Sequence, residues 1–220
     1  MGYLVEFQTR INNNDNVGFA HLWEEYCSND AVDGKELCSI LNMIKESAFA
    51  SFFGKYAETA LPLWQMIEDK DDAYSVIKAI VDLQTTNSED IANIVTNILK
   101  TEFKDHKYFN EKIRLIGLRS RDNFQGALSN YELLSHLDKG RFVYHKAGWG
   151  TGEIIDVSLI REELAIEFEY VSGKKNLSFE NAFKNLVPLS SESFLARRFG
   201  DPDGLEEEAR KNPVKIVHLL

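Results

Sequence analysis

Arg141-Phe-Val-Tyr-His-Lys-Ala-Gly-Trp-Gly-Thr-Gly-Glu-Ile-Ile155 decides how this chain is read. Phe142 and Tyr144, and further on Ile154 and Asp156, fall at the every-second-residue spacing of half-buried strands. Glu163 to Tyr170 repeats the pattern, with Leu164, Ile166, Phe168 and Tyr170 on one face and Glu163, Glu167 and Glu169 on the other. Ser172-Gly-Lys-Lys175 has the composition of a turn, because Gly173 can take a positive φ in a tight reversal. Leu177 and Phe179 then begin a further short strand. Asn181 to Leu186 suits one helical turn, and Val187-Pro188-Leu189 closes the unit.

Short strands and tight turns in so little chain predict a small SH3-like or Tudor-like β-barrel over 140–189. The glycines at 148, 150 and 152 belong to that barrel. A phosphate-binding loop needs glycines that lead into a helix N-terminus, where free N–H groups hold the anion. These lead into Glu153-Ile-Ile-Asp-Val157, a β-branched strand, and no Gly-Lys-Ser/Thr follows. Their reading is structural: they bend one strand into the next.

Ahead of the barrel, from about Val17 to Leu137, apolar residues recur at three and four. Phe19, Leu22, Trp23 and Tyr26 make one stripe, and Leu37, Ile40, Leu41 and Ile44 the next. Leu61, Trp64 and Ile67 follow, then Tyr74, Ile77, Ile80 and Val81, then Ile91, Ile94, Val95, Ile98 and Leu99, and finally Ile113, Ile116 and Leu118. Each is the apolar face of a helix. Polar clusters at Asn12–Asp15, Ser28–Asp30, Asp69–Asp72 and Thr85–Ser88 supply breaks and caps. The pattern predicts an all-α region over 1–139, either a solenoid or an irregular bundle, in which Trp23 and Trp64 are core residues. The chain as a whole is then α+β, with a short helical tail over 190–220. In that tail Ser190-Ser-Glu-Ser193 supplies a helix cap and Pro213 is a first helical residue. The final run, Ile216-Val-His-Leu-Leu220, has neither cap nor polar end, and leads us to expect that further chain follows it.

The 220 residues carry 25 basic and 35 acidic side chains, a net charge of −10. Before Gly140 the balance is 14 against 22, and from Gly140 onward 11 against 13. Such a surface repels nucleic-acid phosphate at long range and favours a basic protein partner. Local basicity is confined to the stretch from Lys100 to Arg121, where Lys104, Lys107, Lys112 and Arg114 interleave with Glu102, Asp105 and Glu111. That is a secondary patch for nucleic acid or an acidic protein, weighed against an ordinary solvated helix face. Cys27 and Cys38 lack metal-ligand spacing, and no apolar run reaches the length of a membrane span. The N-terminus lacks a signal peptide's features, and a cytoplasmic protein is expected.

No catalytic motif emerges. The five histidines, His21, His106, His136, His145 and His218, never meet at ligand spacing. Ser135-His136-Leu-Asp138 contains triad residue types, but neighbours on a helix point in different directions. The expectation is a protein that is not an enzyme and needs no cofactor, metal or small-molecule substrate.

Gly140-x-x-Val-x-His145, Trp149-Gly-Thr-Gly152, Gly173-Lys-Lys175 and Leu186-x-Pro188-Leu189 resemble the Tudor-like domain of UvrD/PcrA-type helicases and the polymerase-interacting domain of CarD-type regulators and transcription–repair coupling factors. The chain departs from both by one extra residue, Gly148. A wider resemblance rests on His21-Leu-Trp-Glu-Glu-Tyr-Cys27, Phe103-Lys-Asp-His-Lys-Tyr-Phe109, Phe124-Gln-Gly-Ala-Leu128, Leu177 to Ser190 and Phe194-Leu-Ala-Arg-Arg-Phe-Gly-Asp-Pro202. These are similar to the long N-terminal extension of GreA-type transcription elongation factors in some obligate intracellular bacteria. The resemblance implies RNA polymerase as partner, its β subunit by analogy, and a non-catalytic role. The acidic pair by which Gre factors promote transcript cleavage sits on a coiled-coil hairpin with no counterpart here. The partner-binding candidates are Tyr144, His145 and Trp149 on the barrel, with Arg197 and Arg198 just after it. Core packing is the competing reading of Trp149. A nucleic-acid-binding domain using Lys100–Arg121 with Lys174 and Lys175, or a purely architectural spacer, is the alternative function.

Overall fold

The computed structural model describes residues 2–54, 56–85 and 87–214. The chain is α+β and divides into two compact units, Met1–Ser129 and Asn130–Leu220.

The first unit is helical: α1 (Tyr3–Asn12), α2 (Asn16–Cys27), α3 (Gly34–Lys45), α4 (Ala50–Phe53), a 3-10 turn (Ala57–Ala60), α5 (Leu61–Gln65), α6 (Lys70–Leu83), α7 (Glu89–Phe103) and α8 (Phe109–Leu115). α9 (Ala127–His136) runs across the division between the units. The polar breaks act as caps. Asp15 accepts from the Gly18 N–H, Asp69 from those of Asp71 and Asp72, and Ser88 from that of Ile91. Each such cap is worth about 1 kcal/mol, because it satisfies a donor the helix leaves open.

Phe7, Phe19 and Phe53 are fully buried, and Trp23 packs edge-on against Phe53 with its Nε1 donating to Thr59. Trp23 is thus a core residue, whereas Trp64 is half-buried, its Nε1 donating to the Ala73 carbonyl. α1 precedes the first apolar stripe read from the sequence, which begins at Phe19. Tyr3, Phe7 and Ile11 give it an apolar face, and Phe7 enters the aromatic core against Phe19, Trp23 and Tyr26. The stripe through Leu118 is also corrected. α8 stops at Leu115, and Gly117 takes φ +79°, the left-handed residue that often ends a helix. The most extensive helix packing joins α3 to α6 across the short elements between them. Helices range from four to fifteen residues, so the unit is an irregular bundle.

The second unit holds an antiparallel sheet of β1 (Phe142–His145), β2 (Gly150–Ser158), β3 (Glu163–Phe168), β4 (Val171–Ser178) and β5 (Leu186–Leu189). The strand order is β4-β3-β2-β1-β5, so β4 and β5 are the edges of an open sheet. α10 (Phe179–Asn185) joins β4 to β5, and α11 (Phe194–Gly200) and α12 (Pro202–Lys211) follow. This open sheet is compatible with an SH3-like barrel. The helix expected over 213–220 lies, from 215 onward, outside the described residues.

Two expectations are corrected. The β3–β4 reversal falls at Glu169-Tyr170, and Ser172 to Lys175 lie within β4. The ladder shifts register between Ile166 and Phe168, and Gly173, at φ +69°, sits in the irregular part of β4 opposite that shift. Tyr170 is consequently exposed rather than on the inner face. Phe179 opens α10 instead of extending a strand, since Ser178 accepts from the Asn181 N–H and caps the helix there.

Candidate functional site

Residues paired across the ladder share a face, so register assigns every side chain. His145 pairs with Gly150 and Val143 with Gly152. Gly152 pairs with Phe168 and Ile154 with Ile166. This is the inner face, where Val143, His145, Ile154, Ile166 and Phe168 are buried. The opposite face carries Tyr144, which pairs with Thr151 and Val187, and Phe142, which pairs with Glu153 and Leu189.

The glycines make the inner face possible. A Cβ on Gly152 would lie 2.6 Å from the Phe168 ring and 2.7 Å from Ile166. Gly150 combines φ +79° with the same closeness to the Tyr170 ring. Into the space so created, Trp149 stacks on His145 with centroids 4.3 Å apart and planes 9° from parallel. Phe168 meets both rings edge-on, at 5.4 and 5.3 Å. His145 Nδ1 accepts from the Ala147 N–H, and burial holds its pKa below the ordinary histidine value, so the ring is kept neutral. Trp149 itself is half-buried.

The five sequence-predicted residues therefore fall in different places. His145 and Trp149 meet on the inner side, and Tyr144 is half-buried on the other face. α11 packs against β2. Its Phe199 meets Phe142 with centroids 6.4 Å apart, and Gly200 sits so close that a Cβ there would be 2.7 Å from the Phe142 ring. Arg198 donates to Glu169 Oε1 at 2.6 Å and to the Tyr170 hydroxyl at 3.2 Å. Arg197 instead pairs with Glu208 on α12 at 2.5 Å. The arginines thus hold the tail helices to the sheet and to each other. Thr151, fully buried on the outer face, has a hydroxyl with no hydrogen-bond partner among the described residues.

Sequence reasoning did not single out Glu169, Tyr170 or Phe199. With Glu167 and Gly173 they line a recess beside the β3–β4 turn. No local signal pairs Arg198 with a carboxylate 29 positions earlier. At the hairpin tip between β2 and β3, Ile160 is 95% exposed.

In the first unit, Lys104 caps the C-terminus of α7, where a cation suits the helix dipole. Lys107 lies over the Tyr108 ring, 4.7 Å from its centroid, and Lys112 and Arg114 occupy the last turn of α8. Burial pushes the Cys27 thiol up to about 11 and raises that of Cys38, so neither is a reactive thiolate at neutral pH. Among the described residues no three His, Cys, Asp or Glu side chains converge to hold a metal ion, and no helix is long and apolar enough to cross a membrane.

Fold and site together define an irregular helical bundle followed by an open-edged antiparallel sheet clasped by tail helices. Over all 220 residues the chain is 45% identical to transcription elongation factor GreA of Chlamydia pneumoniae and 43% identical to that of Chlamydia trachomatis. It spans 30% of the length of each. Similarity to GreA of Borreliella burgdorferi is 25% over 207 residues, 91% of this chain and 22% of that protein. No protein-family model and no solved structure matches the chain.

Proposed function

We propose that this chain is the non-catalytic, RNA polymerase-binding accessory region of a GreA-type transcription elongation factor. The observation that carries the reading is similarity along the entire chain to proteins of that name, at 45% identity in one of them. The sheet is the binding module, an SH3/Tudor-like unit that presents main chain at an open edge. An edge strand can accept a partner strand through backbone hydrogen bonds, with flanking side chains setting specificity.

The two edges differ. The Lys146 N–H donates to the Asn185 carbonyl, so by the alternation of an antiparallel ladder Val187 and Leu189 bond inward to β1. Leu186 and Pro188 then face outward, and proline has no N–H to offer. β5 is blunted. β4 has no proline, and Lys174 and Asn176 are exposed along it. The working edge is β4, and the helical unit positions the module or engages a second partner.

The test is capture of bacterial RNA polymerase by the tagged chain, with subunits identified by cross-linking. Capture with retention at moderate salt supports the reading. Failure to retain polymerase, together with a steeply salt-dependent shift of DNA or RNA in an electrophoretic assay, replaces it with nucleic-acid binding through Lys104, Lys107, Lys112 and Arg114.

A further inference from the structure

We propose that the helical unit carries a docking groove for a cationic amphipathic helix, running along α7 beside α5 and α6. Two adjoining cavities, of about 540 and 510 Å³, both include Asn97 and follow α7 from Asp90 to Phe103. At 1.5 Å rise per residue that stretch is about 20 Å long, the length of three to four helical turns.

α7 has more apolar surface than its own core uses. Ile91, Val95 and Leu99 are fully buried. Ile94 and Ile98, one turn apart, stay half-buried and line the two cavities instead. The facing wall comes from α5: Leu61 and Pro62 in one cavity, Trp64 in the other. The Trp64 indole N–H is already satisfied by the Ala73 carbonyl, so the ring is held as a preformed apolar wall. An apolar stripe at i and i+4, facing a groove as long as a short helix, fits the apolar face of another helix.

The rim names the charge of the occupant. Glu58, Asp71, Asp90 and Glu102 are exposed around the cavities, with Lys70 the one lysine or arginine among the described lining residues. An acidic rim round an apolar floor suits leucine-type side chains flanked by lysine or arginine, and it disfavours nucleic acid and acidic peptides. The groove lies within the first unit, and the proposal stands apart from the polymerase reading of the sheet.

The probe is a fluorescein-labelled, 14-residue amphipathic peptide of leucine and lysine only, titrated into the full chain and read by anisotropy. Its twin with glutamate for lysine is the first control. Binding of the lysine peptide in the micromolar range, at least about tenfold tighter than its twin, is expected. Glu58→Lys combined with Glu102→Lys weakens it about tenfold, and Ile98→Ser does likewise. Thr101→Trp, which fills the groove from an exposed position, does the same without touching the core. Glu206→Lys combined with Glu207→Lys makes the same change of net charge on α12 and leaves the affinity within about twofold. Equal weakening by the two charge-reversed pairs would show attraction to the acidic protein as a whole and overturn the proposal. So would undiminished binding by Thr101→Trp, or equal binding of the twin peptide.

Discussion

The His145 and Trp149 rings lie face to face, 4.3 Å between centroids and 9° from parallel, across the turn that joins β1 to β2. A buried neutral imidazole forms one side of the stack and a half-buried indole the other. Trp149→Ala removes the outer ring and leaves His145 and Phe168 without their neighbour. We expect a loss of about 2–3 kcal/mol, below the full cost of deleting a buried tryptophan because the ring is only half covered. Urea denaturation followed by circular dichroism measures it. A loss near zero would free the ring for a partner and move Trp149 from packing to recognition.

The same stack makes stability depend on pH. Burial lowers the folded-state pKa of His145 below its unfolded value. Below that unfolded value the unfolded chain takes up a proton that the folded chain refuses. The contribution is therefore present above the unfolded pKa and is lost as pH falls toward the lowered folded pKa. Denaturation midpoints measured from about pH 7.5 down to about pH 5, the histidine range, should fall more steeply for the wild type than for His145→Gln. Parallel curves would refute the assignment.

Gly152 tests the close packing of β2 on β3. Adding a methyl group at 2.6 Å from the Phe168 ring forces that ring or the strand to move, so Gly152→Ala should cost about 1–3 kcal/mol. At Gly148 nothing among the described residues lies within 4 Å of an added Cβ, and its φ of +88° is what opposes alanine, at about 1 kcal/mol. Thermal melts of the two variants should rank them in that order.

Arg198 and Glu169 tie α11 to the β3–β4 turn. Both side chains are partly solvent-exposed, which limits the pair to about 1 kcal/mol. A double-mutant cycle of Arg198→Ala and Glu169→Gln should return a coupling of about 0.5–1 kcal/mol that shrinks in high salt. Additive single effects would mean that the pair forms without holding the helix.

How far the sequence shows all this depends on the range of the interactions. Helix existence was legible from local spacing, and Asp69, Ser88 and Ser193 cap helices where their polar clusters predicted a start. α1 precedes the stripes that begin at Phe19, and its own face of Tyr3, Phe7 and Ile11 repeats every four residues without a side-chain cap to mark its start. Gly173 misled in a different way. A glycine with positive φ reads as a tight turn, but here it sits in an irregular stretch of strand while Glu169-Tyr170 reverses the chain. The candidate site was harder still. Alternation set Tyr144 and His145 on opposite faces, but only register with β2 and β3 showed which face is buried. The pairing of Arg198 with Glu169, and of Arg197 with Glu208, depends on where α11 and α12 pack, which no local pattern records.

The sharpest test of the proposed function is on the β4 edge. The Phe179 N–H donates to the Glu162 carbonyl, so alternation along the ladder turns Leu177 and Lys175 inward to β3 and Asn176 outward. Asn176→Pro then deletes an outward N–H while sparing the inward hydrogen bonds, as Pro188 already does on β5. Proline's fixed φ lies at the margin of the strand range, so a stability cost of about 1 kcal/mol is expected and a folded protein remains. If a partner strand adds to β4, its main-chain hydrogen bonding is interrupted at the centre and polymerase capture should drop by about tenfold or more, the equivalent of one or two lost bonds. Lys174→Glu, which leaves the backbone intact, should weaken capture less and chiefly at low salt, because an exposed charge acts at long range. Circular dichroism separates a misfolded variant from one that has lost its edge. A folded Asn176→Pro chain that still captures polymerase as the wild type does would remove β4 from the interface and leave the outer face around Tyr144 and Val187 as the surface to test next.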